Sequence, residues 1–99
     1  ALNNLAVLLA LQGKGGAEPV TLIDRAIAQA GTQAVLLDSR GTIRLAMSDI
    51  QRAADDLRSA IAMRPAGGSY FRLALVELQQ GKLDAARSAL EKATELGVK

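Results

Sequence analysis

The amino-acid sequence predicts an all-α fold, a right-handed solenoid of stacked antiparallel helix pairs. The 99 residues include nineteen Ala and sixteen Leu but only five Val, five Ile and four Thr, a balance that favours helix over strand. Apolar residues recur at spacings of three and four, as on one face of a helix, and no segment alternates apolar and polar residues in a sustained way. A repeated unit of about 33 residues indicates that the helices stack in pairs.

Three copies of this unit fill the chain. The segment 53–60 matches the segment 86–93, with Ala, Leu and Ala recurring at the first, fifth and eighth places. An offset of 34 residues, one longer than between these two segments, aligns Ala60 with Ala26. Because such a unit buries its apolar faces only against its neighbours, we expect one domain over the whole chain, made of units at about 1–33, 34–66 and 67–99.

The first unit predicts helices near 2–12 and 18–30. Leu residues spaced three and four apart form the apolar face of the first helix, and Gly13 is placed to end it. Pro19 suits the first turn of the second helix, because a backbone N–H at that place has no helical partner. Gly31 is placed to end this second helix.

The second unit predicts helices near 34–46 and 49–63. Residues 48–51 are Ser-Asp-Ile-Gln, which has the S-x-x-Q spacing of a capping box. In that motif the first and last side chains each bond a free backbone N–H at the start of a helix. Pro65 follows the expected end of the second helix, where it cannot continue the helix.

The third unit predicts helices near 69–80 and 83–96. Its first helix is expected to begin after the Gly-Gly pair at 67–68, with Ser69 as the N-cap residue. Gly81 is placed in the turn between the two helices. The three units together therefore predict six helices.

The recurring residues follow the order of a known repeat. They are Leu37, Gly41, Ala53, Leu57, Ala60 and Pro65 in the second unit, and Tyr70, Leu73, Ala74, Ala86, Leu90 and Ala93 in the third. This order resembles the tetratricopeptide repeat, a 34-residue helix–turn–helix unit with the pattern W-x2-L-G-x2-Y, A-x3-F, A and P. Two residues depart from it, since Glu77 stands in the Tyr place and Arg40 stands in an apolar place. We expect the stem of Arg40 to pack while its guanidinium reaches Asp55, Asp56 or water.

The resemblance implies a concave surface, lined by the first helix of each unit, that holds a protein or peptide partner. The residues at those positions are Asn3, Asn4, Val7, Ala10 and Leu11 in the first unit, Asp38, Ser39, Thr42, Leu45 and Ala46 in the second, and Phe71, Arg72, Leu75, Leu78 and Gln79 in the third. Three of these have a structural alternative. Arg72 can pair with Asp38 on the neighbouring helix, Phe71 can pack within the stack, and Asn4 can lie on a solvated polar face.

The composition excludes most catalytic chemistry. With no Cys and no His, the chain lacks thiolate nucleophiles, the commonest metal ligand and the usual general base at neutral pH. Asp55 and Asp56 are adjacent, so on a helix their carboxylates point about 100° apart. Gly13, Gly15 and Gly16, with Lys14 among them, resemble part of a phosphate loop, but their spacing differs from G-x-x-x-x-G-K-[ST] and no strand is predicted before them. We therefore predict a non-catalytic domain with no cofactor and no metal.

A protein or peptide is the predicted partner. The 12 basic and 10 acidic residues are interspersed along the chain, without the basic stripe that is typical of nucleic-acid-binding proteins. The longest apolar run, Leu5–Leu11, is too short to cross a bilayer. We therefore expect neither a nucleic acid nor a membrane as partner.

Two other functions stay open. The chain begins at Ala1 without Met, so we interpret it as a segment of a longer protein, in which it acts as a structural spacer or self-associates. Self-association would form a homodimer through exposed terminal helix faces. An RNA-binding helical repeat, which reads bases with the first helix of each unit, is a third class, although few polar positions recur between the units.

Overall fold

The computed structural model describes residues 18–97, and this part of the chain consists of five α-helices joined by short connections. They are α1 (Glu18–Ala30), α2 (Ala34–Ala46), α3 (Ile50–Met63), α4 (Gly67–Gln79) and α5 (Leu83–Leu96). Successive helices pack antiparallel against each other, and α2 also contacts α4. Since residues 18–97 contain no strand, the predicted all-α fold is confirmed for them. The helix predicted near 2–12 lies outside the described residues, and the handedness stays a prediction.

Helix boundaries agree closely with the apolar spacing of the sequence. The predictions for α1, α2 and α5 coincide with the observed bounds, and α3 begins one residue later than predicted. The predicted capping box before α3 is wrong. Asp49 is the N-cap residue and makes no side-chain cap bond, while Ser48 lies one place earlier with a left-handed φ of 63°. The hydroxyl of Ser48 is therefore not in the position that a capping box requires.

The start of α4 differs from the prediction for a tertiary reason. The helix begins at Gly67, two residues before the predicted start, and its N-cap residue is Ala66. Ser69 is therefore not the N-cap, and its hydroxyl donates instead to Oδ1 of Asp38 on α2, at 3.1 Å. The first residue of α4 has to be glycine, because the backbone of Gly97 lies against Gly67 and leaves no room for a side chain.

Two apolar clusters hold the helices together. The first joins Ile23 of α1 to Leu36 and Ile43 of α2. The second joins α3 to α4, with Leu45 packed against its edge, and its buried members are Ala53, Ala54, Leu57, Leu73 and Val76. Small residues lie where helices cross closely, as the sequence pattern predicts. Ala60 and Ala93, at equivalent places in the second and third units, are each 1% exposed.

Candidate functional site

Asp38 connects the first helices of the second and third units. Nη1 of Arg72 on α4 donates to both carboxylate oxygens of Asp38 at 3.2 Å, and the Ser69 hydroxyl donates to Oδ1. The pairing of Arg72 with Asp38 was one of the two alternatives in the sequence, and the structure contains it. Both charges are therefore partly neutralised, and they tie α4 to α2.

The other polar side chains predicted on α2 bond their own helix. The Ser39 hydroxyl donates to the carbonyl of Val35 at 2.9 Å, and the Thr42 hydroxyl donates to the carbonyl of Asp38 at 2.8 Å. Leu45 packs against the second apolar cluster. Hydroxyls with such local bonds have less donor capacity for a partner, so α2 offers fewer free polar groups than its sequence indicates.

The apolar residues predicted on α4 form an exposed stripe. Phe71 is 40% exposed, and Leu75 and Leu78, four and seven residues later, are similarly exposed. This spacing places the three side chains on one side of the helix. Gln79 is exposed next to them. We call Phe71, Leu75 and Leu78 the α4 stripe.

A shallow depression of about 160 Å³ opens beside Asp38, where the start of α2, the end of α3 and the start of α4 meet. Val35 contributes apolar surface to it, and Arg64 contributes a cationic side chain. The guanidinium of Arg64 makes no hydrogen bond or ion pair with any other residue in 18–97. Arg64 follows α3 and lies outside the first-helix positions of the repeat pattern, so that pattern does not identify it.

The end of the stack carries a further apolar face. Leu57 of the second unit belongs to the second apolar cluster, and Leu45 and Ile50 pack against it. The residues at the same places in the third unit, Leu90, Leu78 and Leu83, are exposed. Leu57 is 0% exposed because α4 lies on it, while Leu90 is 39% exposed because no helix of residues 18–97 covers it. We call Leu78, Leu83 and Leu90 the terminal face.

A charged cluster lies on another side of α2. Arg40 donates from Nε and Nη2 to the two carboxylate oxygens of Asp56 on α3, at 3.0 and 2.8 Å, and from Nη1 to Asp24 on α1, at 2.8 Å. Arg44 donates to the same Asp56 at 2.7 Å. The hydrogen bond with Asp56 is the main reason that the pKa of Arg40 is raised above its ordinary value, and burial acts against it. The expected contact with Asp56 is confirmed, and the contact with Asp24 is an addition.

The predicted positions of the first unit, Asn3, Asn4, Val7 and Leu11, lie outside the described residues. None of the helices in residues 18–97 has the length and hydropathy that a membrane-spanning helix needs. This part of the chain also has no group of three or more His, Cys, Asp or Glu side chains placed to hold a metal ion.

The repeat pattern is supported by comparison with known families. A family model of the tetratricopeptide repeat matches residues 39–97, which is more than half of the chain. The match begins within α2 and includes α3, α4 and α5, so it covers most of the second and third units, where the small residues recur at equal spacing. No curated protein matches the sequence.

Proposed function

Because the chain belongs to the tetratricopeptide repeat family, we propose that it is a non-catalytic protein-interaction module. Its partner, a protein or peptide, binds the surface formed by the first helices of the units. The observation that carries this proposal is the exposed α4 stripe. Contiguous apolar side chains on the surface of a soluble domain mark an interaction site, and this stripe lies on a helix that the family uses for binding.

The residues on and beside the stripe have different roles in this proposal: some position the helices, and others contact the partner. Asp38, held by Arg72 and Ser69, fixes α4 against α2, so the surface is arranged before the partner arrives. Phe71 is the anchor, because a large ring contributes much apolar contact area with few rotatable bonds. The side-chain amide of Gln79 can both donate to and accept from the partner backbone. The extension of the surface to Asn3, Asn4, Val7 and Leu11 stays a prediction.

The proposal is tested with peptides selected from a displayed random library on the immobilised 99-residue chain. Dissociation constants of the selected peptides are then measured by fluorescence polarisation for Phe71→Ala and Leu75→Ala. We expect the first substitution to weaken binding by about ten-fold or more, as truncation of an interface anchor does. The free energy of unfolding should fall by about 1.5 kcal/mol or less, because both side chains are only partly withdrawn from water and their truncation leaves no enclosed cavity.

Met63→Ala is the matched control, because Met63 is an exposed apolar side chain on α3, a second helix. This control should bind the selected peptides within about two-fold of the unsubstituted chain, a difference of less than about 0.5 kcal/mol. Equal losses for Phe71→Ala and Met63→Ala, or no loss for Phe71→Ala and Leu75→Ala, would contradict the proposed surface.

The terminal face favours a second function, self-association of the chain as a homodimer. Its three Leu side chains are exposed, whereas their equivalents in the second unit lie in the second apolar cluster or pack against it, and burial of such side chains drives association. Light scattering after size exclusion over a range of protein concentrations tests this alternative. A mass that rises with concentration and returns to the monomer value in Leu90→Glu would support the homodimer, and a constant monomer mass would exclude it.

A further inference from the structure

A wide, shallow groove lies between α4 and α5, away from the α4 stripe. It has a volume of about 390 Å³, and its lining includes Tyr70, Leu73, Glu77, Ser88, Ala89 and Lys92. Tyr70, Leu73 and Glu77 are spaced by three and four residues and share one side of α4. At 100° per residue, that side lies about 130° around the helix from the α4 stripe.

Glu77 is the unusual residue of this groove. Its side chain is only 8% exposed, and its Oε1 atom is buried and has no hydrogen-bond partner within the described residues. Its one ionic contact there is Nη2 of Arg58, which lies 3.8 Å from Oε2, a distance too long for a hydrogen bond. Buried carboxylates normally accept several hydrogen bonds, so Glu77 has acceptor capacity that this part of the chain leaves unused.

Asp56 shows how the same fold satisfies a buried carboxylate. Its side chain is 6% exposed, similar to that of Glu77, yet it accepts three hydrogen bonds from the guanidinium groups of Arg40 and Arg44. Two arginines on α2, the first helix of the unit, therefore share one carboxylate on α3, the second helix. The geometry is the bidentate pairing that makes arginine the preferred partner of carboxylates.

The groove occupies the place of this charged cluster in the next unit. At the repeat offset, Arg40 corresponds to Leu73, Arg44 to Glu77 and Asp56 to Ala89, and all three of these equivalents line the groove. Two long arginine stems are thus replaced by shorter side chains, and the carboxylate now lies on the first helix instead of the second. The third unit has the volume and the acceptor for a guanidinium but does not supply one from its own first helix.

From this correspondence we infer that the groove between α4 and α5 binds an arginine side chain of a protein partner, with Glu77 as its acceptor. The stem of the arginine lies along Leu73 and Ala89, and its guanidinium donates to the carboxylate. The Tyr70 ring adds an aromatic surface that attracts cations. This surface is separate from the one in the proposed function, and either can exist without the other.

The charges around Glu77 permit a second cation. Arg58 extends into solvent, with 42% of its side chain exposed, so its charge is partly screened. Lys92 at the rim is also exposed, and its ammonium lies 3.4 Å from Glu95. Asp56 carries two arginines at once, which shows that one carboxylate of this fold accommodates two guanidinium groups.

The test uses N-acetyl-arginine amide as the probe and the complete 99-residue chain as the receptor. Amide chemical shifts are followed by two-dimensional NMR at constant ionic strength. We expect saturable shifts at Leu73, Ser88 and Ala89. The isosteric neutral probe N-acetyl-citrulline amide should bind at least about ten-fold more weakly, because hydrogen bonds between two charged groups are the stronger ones.

Two pairs of variants complete the test. Glu77→Gln should weaken binding of the arginine probe at least about ten-fold, while Glu91→Gln, which changes an exposed carboxylate on α5, should leave it unchanged. Ser88→Trp should block the groove without touching Glu77, while Ser59→Trp, at an exposed Ser on α3, should not. The serine pair decides the question if Glu77→Gln does not fold.

Four results would overturn the inference. They are shifts that do not saturate, equal affinity for the two probes, unchanged binding by Ser88→Trp, and equal losses in Glu77→Gln and Glu91→Gln. The last of these would indicate general charge attraction rather than a site at Glu77.

Discussion

The equivalent leucines Leu57 and Leu90 offer a direct test of how the helix pairs bury their residues. They occupy the same place in successive units. Leu57 is 0% exposed and packs with Leu73 and Val76 of α4, whereas Leu90 is 39% exposed. Truncation of each to Ala removes the same atoms from the same type of helix, so a difference in stability between the two variants reports how far each side chain is covered by its neighbours.

The expected losses follow from these exposures. Leu57→Ala removes a fully enclosed side chain and leaves a cavity, so the free energy of unfolding should fall by about 2–5 kcal/mol. Leu90→Ala removes a side chain that is only partly withdrawn from water and leaves no enclosed cavity, so the loss should be about 1.5 kcal/mol or less. For a domain of this size, each kcal/mol lowers the melting temperature by about 4–8 °C.

Urea unfolding followed by circular dichroism at 222 nm measures both losses, and thermal unfolding checks their order. The measurement is repeated at two protein concentrations, because a homodimer through the terminal face would add a concentration-dependent term to the loss at Leu90. Equal losses at both positions with no dependence on concentration would refute the reasoning, since they would mean that Leu90 is enclosed within a single chain.

Two further predictions concern the core and the charged cluster. Ala60→Leu and Ala93→Leu should each overpack a helix crossing and lower the free energy of unfolding by about 1–3 kcal/mol; an unchanged melting temperature in both would contradict the assigned register. Asp56→Ala should cost about 3–5 kcal/mol in urea unfolding, because it leaves two partly buried guanidinium groups without their shared acceptor. Asp55→Ala, at the exposed neighbouring position, is its control and should stay within about 0.5 kcal/mol of the unsubstituted chain.

The sequence predicted where the residues of the candidate site lie better than it predicted their hydrogen bonds. The repeat pattern identified Asp38, Ser39, Thr42 and Phe71 as first-helix residues, and the structure places them on α2 and α4. The spacing could not show that both hydroxyls donate to carbonyls of their own helix. Whether a side chain is free for a partner depends on its rotamer and its neighbours, which a one-dimensional pattern does not contain. Use of this surface by a partner stays a prediction.

Two local signals for helix capping were also misleading, one of them because of a tertiary contact. Ser48 and Ser69 each have a side chain that commonly caps a helix, yet neither caps one here. Ser69 lies inside α4 and bonds Asp38 on another helix. A cap bond is worth about 1 kcal/mol, so a partly buried carboxylate acceptor and close packing at the start of α4 are enough to displace it.

The sequence by itself determined the helices and the way they pair. The bounds of α1, α2 and α5 follow from apolar residues spaced by three and four and from glycines at the ends, because helix formation depends on neighbours a few residues away. Only the tertiary structure decided which equivalent residues differ in burial. Leu57 is covered whereas Leu90 is exposed, and Leu45 and Ile50 pack against the second apolar cluster whereas Leu78 and Leu83 are exposed. These differences arise from which helix lies over each position, and identical repeat spacing cannot encode that.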